Sequence, residues 1–158
     1  MNKNYELKQI GKVIADKGNY SIQLEKEYIQ GLTGIDGFSH LQITWWGNLV
    51  DKPELRSALV SKKPYKKGPD KIGVFATRSP VRPNPLLITT ITVLHIDHEK
   101  GIIHTPWMDA EDGTPVLDIK PYHLSERVKD CQVPEWCQHW PKWDEESGAF
   151  DWQNEFNF

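Results

Sequence analysis

The sequence predicts a mainly β fold: a small single-domain β-barrel with a few short helices and an irregular aromatic C-terminal tail. Short β-rich segments separated by turns recur over residues 7–119, and few stretches favour helices. No Gly-x-Gly-x-x-Gly turn joins a strand to a helix, and strands do not alternate with helices. This pattern excludes a doubly wound nucleotide-binding fold. Strands at this spacing are typical of a closed or nearly closed barrel.

The N-terminal third predicts a hairpin and one longer strand. Apolar alternation indicates strands over Leu7–Ile14 and Tyr20–Leu24, with a glycine-containing turn between them. Glu25–Gln30 is predicted to form one helical turn. The β-rich segment Phe38–Trp46 predicts the next strand.

A helix and three further strands are predicted beyond this point. Asp51, followed two positions later by a proline, is typical of a helix start, so a helix capped by Asp51 is predicted over residues 51–60. β-branched residues favour a long strand over Leu86–Ile96. Gly101–Trp107 is predicted to be its partner, and Val116–Ile119 to be a short last strand.

Composition fits one globular domain of 158 residues, 38% hydrophobic and 26% charged. The predicted limits are a barrel domain over residues 1–130 and an aromatic tail over residues 131–158. No apolar run approaches the ~20 residues that span a bilayer, so no membrane partner is expected. Two cysteines are too few for a disulfide framework, and a cytoplasmic location is predicted.

The most informative segment is the proline loop, residues 73–85, which has the sequence GVFATRSPVRPNP. Its prolines remove backbone donors and exclude a helix, so a stiff, preshaped loop is predicted. The loop carries Arg78, Arg82 and Asn84. Guanidinium groups on a rigid loop suit the binding of a carboxylate or a phosphate. The alternative is a structural turn whose arginines form ion pairs.

Basic residues precede and enter the proline loop. Seven lysines and arginines and one acid lie between Ser61 and Arg82, although the net charge of the chain is −3. The local positive charge would attract a phosphate backbone, and a solvated lysine loop is the alternative. The candidate substrate-binding lysines are Lys62, Lys63, Lys66 and Lys67.

Three ordered segments resemble the TrmO (TsaA-like) tRNA methyltransferases. The proline loop resembles the signature Gly-Val-Phe-Ala-Thr-Arg-Ser-Pro-x-Arg-Pro-Asn-Pro of that family. Asp36–Leu41 resembles its Gly-Phe-Ser-His strand, and Asp112–Tyr122 resembles its second long signature. Long signatures in the right order are far more specific than a lone glycine motif. The chain is therefore identified as a member of this family over roughly residues 10–122.

The chain departs from the family pattern at three places. The family's Pro-Arg-Gln segment is absent between Ala15 and Leu32. Gly47 and Asn48 stand where the family has Phe-His, and Leu86–Thr89 stands where it has Ile-Gly-Leu-Ser. The first two changes fall at positions of the family's cofactor site. Cofactor identity therefore transfers better than substrate identity.

The resemblance implies an S-adenosylmethionine-dependent tRNA methyltransferase with a small β-barrel fold. A methionine carboxylate requires a cation, which Arg78 or Arg82 would supply. Adenine requires a flat apolar slot, which Trp107, Met108 and Asp109 at the end of the predicted strand 101–107 could form. The remaining cofactor contacts implied by the family fall at Asn48, Ile88, Pro106, Trp107, Met108 and Asp109.

The acceptor that the family implies is the exocyclic nitrogen of threonylcarbamoyl-adenosine beside the anticodon of a threonine tRNA. That nitrogen loses a proton during transfer, so a base is expected within hydrogen-bond reach. Asp112, Asp118 and Tyr122 are the candidate bases, and Lys120 and Asn84 are candidate substrate contacts. The structural alternatives are a turn at Asp112 and an ion pair between Asp118 and Lys120.

The aromatic tail contains four of the seven tryptophans, interleaved with acids and broken by two prolines. Exposed aromatic residues would be a liability, so the tail is predicted to wrap the barrel. The alternative is that it packs across the partner of a homodimer. An acidic tail is not expected to contact tRNA. Cys131 and Cys137 lack enough nearby ligands for a metal and are expected to be buried thiols.

Two other functions stay open at this point. The missing Pro-Arg-Gln segment and the short chain leave open a module that binds S-adenosylmethionine without transferring a methyl group. A methyltransferase acting on a small molecule would have no need of the lysines before the proline loop.

Overall fold

A computed structural model describes residues 4–158, which divide into two compact units. The first unit contains residues 4–51 and 84–127, and the second contains residues 52–83 and 128–158. Each unit is therefore built from two separate stretches of the chain. The domain limits 1–130 and 131–158 stay a prediction.

The described residues form nine strands and two short helices, and the remaining helical turns are 3-10. The strands are β1 Gly11–Asp16, β2 Asn19–Leu24, β3 His40–Trp46, β4 Val60–Lys62, β5 Lys71–Gly73, β6 Leu86–Thr92, β7 His95–Asp97, β8 Ile102–Thr105 and β9 Pro115–Pro121. The helices are α1 Pro53–Arg56 and α2 Asp144–Ser147. The 3-10 turns are Lys26–Leu32, Asn48–Val50, Val74–Ala76, Leu124–Glu126, Glu135–Cys137 and Trp152–Asn154. The prediction of a mainly β fold with few helices is confirmed.

Seven strands of the first unit form one antiparallel sheet in the order β6, β3, β9, β1, β2, β8, β7. The two end strands, β6 and β7, are not paired with each other in the described residues, yet only Val93 and Leu94 separate them. The Val93 amide donates to the Ser39 carbonyl, next to β3, and the Leu94 amide donates to the His104 carbonyl in β8, each at 2.9 Å. Consecutive Cα atoms are only about 3.8 Å apart, so the sheet must curl until its ends approach each other. A closed barrel stays a prediction.

The core of the first unit lies on one face of this sheet. Alternate residues of β3, namely Leu41, Ile43 and Trp45, are buried, while the residues between them are not. Such alternation is expected of a strand with one face packed and one face solvated. Side chains that are fully or almost fully buried in this core are Val13, Ile22, Leu41, Ile43, Ile91, Ile103, Met108 and Val116.

The predicted strand over Leu86–Ile96 is interrupted, because the chain changes its pairing partner there. β6 pairs with β3 and β7 pairs with β8. The first strand begins at Gly11 rather than at Leu7, because its pairing starts at the register of Gly11 with Leu24. The strands predicted over 20–24, 38–46, 101–107 and 116–119 are present, with shifts of at most two residues at their ends.

The predicted helix over residues 51–60 is wrong in its length and in its cap. α1 ends at Arg56, because Val60 belongs to β4, which pairs with β5. The N-cap position is Lys52, and no side chain caps the helix. Asp51 instead accepts a 2.9 Å hydrogen bond from the Trp46 indole.

In the second unit, the aromatic tail packs around Tyr65. The Tyr65 ring stacks on Trp136 at 5.1 Å and meets Trp140 edge-on at 5.2 Å. Large aromatic rings contribute most of the buried area in so small a cluster. Cys137 is buried and burial raises the pKa of its thiol, whereas Cys131 is exposed. The expectation of two buried thiols is therefore wrong for Cys131, which lies in an irregular stretch that is exposed throughout.

A buried carboxylate holds the end of the aromatic tail. Glu155 accepts hydrogen bonds from His139 Nε2 at 2.8 Å and from the Trp140 indole at 3.1 Å. The bond from His139 is the largest cause that lowers the pKa of Glu155 below its ordinary value, and the bond from Trp140 is the next. The Glu155 carbonyl also accepts from the Lys66 amide at 2.9 Å. The residue therefore joins the two stretches of the second unit.

Gly11→Ala is expected to lower the free energy of unfolding by about 1–3 kcal/mol, as overpacking does in a tightly packed strand. A Cβ at this position would lie 2.5 Å from the backbone oxygen of Gln23, which cannot move without breaking the β1–β2 pairing. Gly31→Ala is the control, because a Cβ there meets no atom within 4 Å. Urea denaturation compares the two variants, and equal stabilities would contradict the packing argument.

The stability of the second unit is expected to fall in acid through Glu155. A carboxylate whose pKa is lowered on folding stabilises the folded state above its unfolded pKa, and that contribution is lost as the pH falls through the folded pKa. Glu155→Gln should therefore be less stable than the parent protein at neutral pH, and the difference should shrink as the pH drops well below 4.5. Urea midpoints measured from pH 7 to about pH 3 test this. A difference that does not vary with pH would rule out the ionic contribution.

Candidate functional site

Several of the predicted site residues gather at one end of the sheet in the first unit, where β3 and β8 finish and β6 and β9 begin. This end is called the near end. The register places Trp46 opposite Leu86 and Trp45 opposite Val116, and the Gly47 amide donates to the Pro85 carbonyl at 2.8 Å. The candidates located there are Asn48, Ile88, Pro106, Trp107, Met108, Asp109 and Asp112.

The segment 106–109 is anchored by its third residue and exposes its second. Met108 is buried in the core, so its side chain is not available to a ligand. Thr105 donates its hydroxyl to the Trp107 carbonyl at 3.1 Å. The Trp107 ring is 57% exposed, and Pro106 and Asp109 are exposed as well. The near end thus presents a large flat indole on a backbone that is held in place.

A row of three register partners crosses the outer face of the sheet. Ile88 of β6 lies opposite Thr44 of β3, and Thr44 lies opposite Asp118 of β9. Ile88 is 50% exposed, although an isoleucine is usually buried. Thr44 is a residue that sequence reasoning missed, and the alternation of β3 is the signal that places it outward.

The three candidate bases do not converge. Asp112 accepts a 2.9 Å hydrogen bond from the Ala15 amide and precedes Gly113 in a turn with positive φ. Asp118 lies in the middle of β9, forms an ion pair with Lys120 and accepts from the Ile119 amide at 3.0 Å. Tyr122 follows β9 at the opposite end of the sheet. With about 3.3 Å per strand residue, roughly 13 Å separates Asp118 from Tyr122. The turn and the ion pair offered as structural alternatives are therefore both present.

Residues 73–83 of the proline loop belong to the second unit, and Arg82 braces this part of the loop from inside. Nη2 of this residue donates to the Val74 carbonyl at 2.9 Å and to the Thr77 carbonyl at 3.0 Å. Arg56, which sequence reasoning missed, donates through Nε to the Pro83 carbonyl at 2.8 Å. Arg78 is exposed. The two predicted arginines thus differ: Arg82 shapes the loop, and Arg78 lies at its surface.

The four candidate lysines of the second unit are all exposed. Nζ of Lys63 lies 3.7 Å from Oδ1 of Asp70, and Nζ of Lys66 donates to Oδ1 of Asn154 at 2.6 Å. The other two substrate candidates are Asn84 and Lys120. Both are exposed and belong to the first unit.

A cavity of about 340 Å³ lies elsewhere in the first unit, beside the 3-10 turn Lys26–Leu32. Tyr28, Leu32, Phe38 and Pro121 are among its lining residues, and Asp118 is the one site candidate that contributes to it. This cavity therefore does not coincide with the near end.

Within residues 4–158, no three His, Cys, Asp or Glu side chains converge as metal ligands would. In the same part of the chain no helix is both long enough and apolar enough to span a membrane.

Comparison with known proteins identifies the family. Residues 9–126 match the model of the tRNA-methyltransferase O N-terminal domain, which covers about three quarters of the chain, including the proline loop. The chain belongs to the tRNA-methyltransferase O family. The resemblance found in the sequence is confirmed.

Curated relatives carry two kinds of name. A probable S-adenosyl-L-methionine-binding protein of Pyrococcus horikoshii is 36% identical over 116 residues, which are 73% of this chain and 81% of that protein. One from Methanothermobacter thermautotrophicus is 35% identical over 65% of this chain and 68% of its own length. A tRNA (adenine(37)-N6)-methyltransferase of Eikenella corrodens is 50% identical over 54% of this chain and 48% of its own length.

Solved structures show the same fold. A TrmO crystal structure from Pseudomonas aeruginosa superimposes with a TM-score of 0.64 at 21% identity, over 85% of this chain. The chain spans 62% of that longer protein.

Arg82→Gln is expected to destabilise the proline loop rather than to affect an exposed contact. The substitution leaves two loop carbonyls without their charged donor, which typically costs about 1–3 kcal/mol. Lys71→Gln, at an exposed position just before the loop, is the control and should unfold within about 0.5 kcal/mol of the parent protein. Urea denaturation measures the stability of both variants, and limited proteolysis measures how fast the proline loop is cleaved. Equal stabilities and equal cleavage rates in the two variants would contradict the bracing role.

Proposed function

We propose that this chain is an S-adenosylmethionine-dependent tRNA methyltransferase, and that its acceptor is the exocyclic nitrogen of threonylcarbamoyl-adenosine next to the anticodon. The observation that carries the proposal is the family match over residues 9–126. The Eikenella corrodens relative, which is named for methylation of N6 of adenine 37 in tRNA, supports the acceptor.

The residues that the structure exposes fit the chemistry of the cofactor. Bound S-adenosylmethionine supplies an activated methyl group, so the protein has to bind, orient and desolvate the reacting groups. Arg78 is proposed to bind the methionine carboxylate as a charged donor. In the first unit, the exposed indole of Trp107 and the exposed side chain of Ile88 suit a flat apolar purine. Asn48 and Asp109 are exposed polar groups at the same end of the sheet.

Asp118 is the strongest of the three base candidates. It lies in one register row with Ile88, whereas Tyr122 lies at the opposite end of the sheet. The Asp112 carboxylate accepts a hydrogen bond from the Ala15 amide near the end of β1, which is a structural role. We propose that the Asp118 carboxylate accepts the proton that the acceptor nitrogen loses, and that the ion pair with Lys120 keeps this carboxylate oriented.

The remaining parts of the proposal concern tRNA binding and assembly. The exposed lysines 62, 63, 66 and 67, together with Asn84, are proposed to contact the tRNA backbone. A homodimer of small barrels in the cytoplasm completes the proposal. The Val93 amide donates to the Ser39 carbonyl, next to β3, and the Leu94 amide donates to the His104 carbonyl in β8. These two bonds in a short link support the proposal that the sheet closes into a barrel.

A second candidate function is a protein that binds S-adenosylmethionine without transferring its methyl group. The names of the Pyrococcus and Methanothermobacter relatives favour it, because they state binding alone. The absence of the Pro-Arg-Gln segment favours it too.

Arg78→Gln is expected to weaken S-adenosylmethionine binding by about 10- to 100-fold, since a hydrogen bond to a charged group typically contributes 1.5–3 kcal/mol. Lys71→Gln is the matched control, because it removes an exposed cation outside the proline loop. Isothermal titration calorimetry measures both variants. Unchanged affinity in Arg78→Gln would remove this residue from the cofactor site.

The activity itself is tested by transfer of a labelled methyl group from S-adenosylmethionine to tRNA with and without the threonylcarbamoyl group. Transfer that requires the modified adenosine supports the proposed acceptor. Cofactor binding without transfer to any tRNA would favour the second candidate function.

A further inference from the structure

We propose that Phe158 and the neighbouring lysines form a binding site for an unpaired RNA base and the phosphates beside it. This inference rests on the proposed function only in taking the RNA to be tRNA. It differs from the sequence-based expectation that the acidic aromatic tail would not contact tRNA.

Phe158 ends a column of aromatic rings. It stacks on Phe156 at 4.9 Å with 22° between the ring planes, and Phe156 stacks on Trp152 at 6.1 Å with 19°. The Phe158 ring is 92% exposed, whereas Phe156 and Trp152 are partly buried. A flat, exposed ring at the end of such a column offers a face on which one more flat ring can stack. Nucleic-acid bases are the flat rings that proteins most often bind in this way.

Hydrogen bonds hold the two residues before Phe158 beside the basic stretch. Tyr65 and Phe156 form a β-bridge, and the Asn157 amide donates to the Pro64 carbonyl at 3.0 Å. The Asn157 side chain donates to the Lys63 carbonyl at 2.7 Å. If this antiparallel register is continued by two residues, Phe158 falls opposite Lys63.

The charge around the ring suits phosphate. Lys62, Lys63, Lys66 and Lys67 are exposed, and no carboxylate among residues 4–158 lies within ion-pair distance of Lys62 or Lys67. Glu155, the tail acid nearest to Phe158 in the sequence, is buried and bonded to His139 and Trp140, and the charge of Lys67 also helps to lower its pKa.

An exposed aromatic ring flanked by cations is the combination that binds single-stranded nucleic acid. A double helix offers phosphates but no free base face. The site should therefore prefer an unpaired segment, such as an anticodon loop, over a duplex. An acidic protein partner would use the lysines without needing the flat ring.

The test compares Phe158→Leu, which removes the flat ring, with Phe158→Trp, which keeps one. The probes are a fluorescein-labelled single-stranded RNA of about 12 nucleotides and a blunt RNA duplex of similar charge, followed by anisotropy at low salt. Phe158→Leu should weaken single-strand binding by about 5- to 100-fold, and Phe158→Trp should retain it. Duplex binding should change by less than about twofold. Lys62→Gln combined with Lys67→Gln should reduce the salt dependence for both probes.

Single-strand binding that is unaffected by Phe158→Leu, or weakened equally for the duplex, would overturn the proposal. Circular dichroism shows whether the variants keep their fold. Methyl transfer is measured separately: transfer by Phe158→Leu with an unchanged tRNA KM would reject this site and leave the proposed function intact. Loss of single-strand binding in Phe158→Leu, in a protein that methylates no tRNA, would leave this site intact and reject the proposed function.

Discussion

The two-residue link between β6 and β7 is the constraint on which the first unit depends. The link makes the two ends of a seven-stranded sheet consecutive in the chain, so the sheet has to curl. The curl encloses the apolar face that carries Leu41, Ile43 and Ile91. It also turns the outer face of β6, β3 and β9 toward solvent, which is why Ile88 is exposed in a strand dense in β-branched residues. The fold and the placement of the candidate site therefore have one origin.

Much of this fold could be predicted from local patterns. The hairpin of β1 and β2 and the alternation in β3 follow from periodicity alone. The short strands β4 and β5 were missed, because three-residue strands carry no periodic signal and depend on each other for pairing. The break at Val93–Leu94 was missed for a related reason. It arises from a change of partner, and a single segment of sequence contains no information about its partners.

Some features of the candidate site could likewise be predicted from the sequence, and others could not. Composition identified the proline loop as stiff and basic. The family resemblance pointed to the candidate residues that lie at the near end. The sequence did not separate Arg82 from Arg78, because burial depends on the folded path of the loop: Arg82 is partly buried and bonded to two loop carbonyls, whereas Arg78 is exposed. Asp112, Asp118 and Tyr122 belong to one signature, yet the extended strand spreads them along the sheet. Met108 illustrates a further limit, since the neighbour of an exposed Trp107 turns out to be a core residue.

The internal guanidinium of Arg82 has a consequence for the thermodynamics of recognition. Proline rings and hydrogen bonds to Val74 and Thr77 hold the loop in one conformation before any ligand arrives. A ligand that docks on it therefore encounters a template already in its bound shape, and association sacrifices little conformational entropy of the loop. A flexible loop of the same length would lose conformational entropy on binding and would need a more favourable binding enthalpy to reach the same affinity.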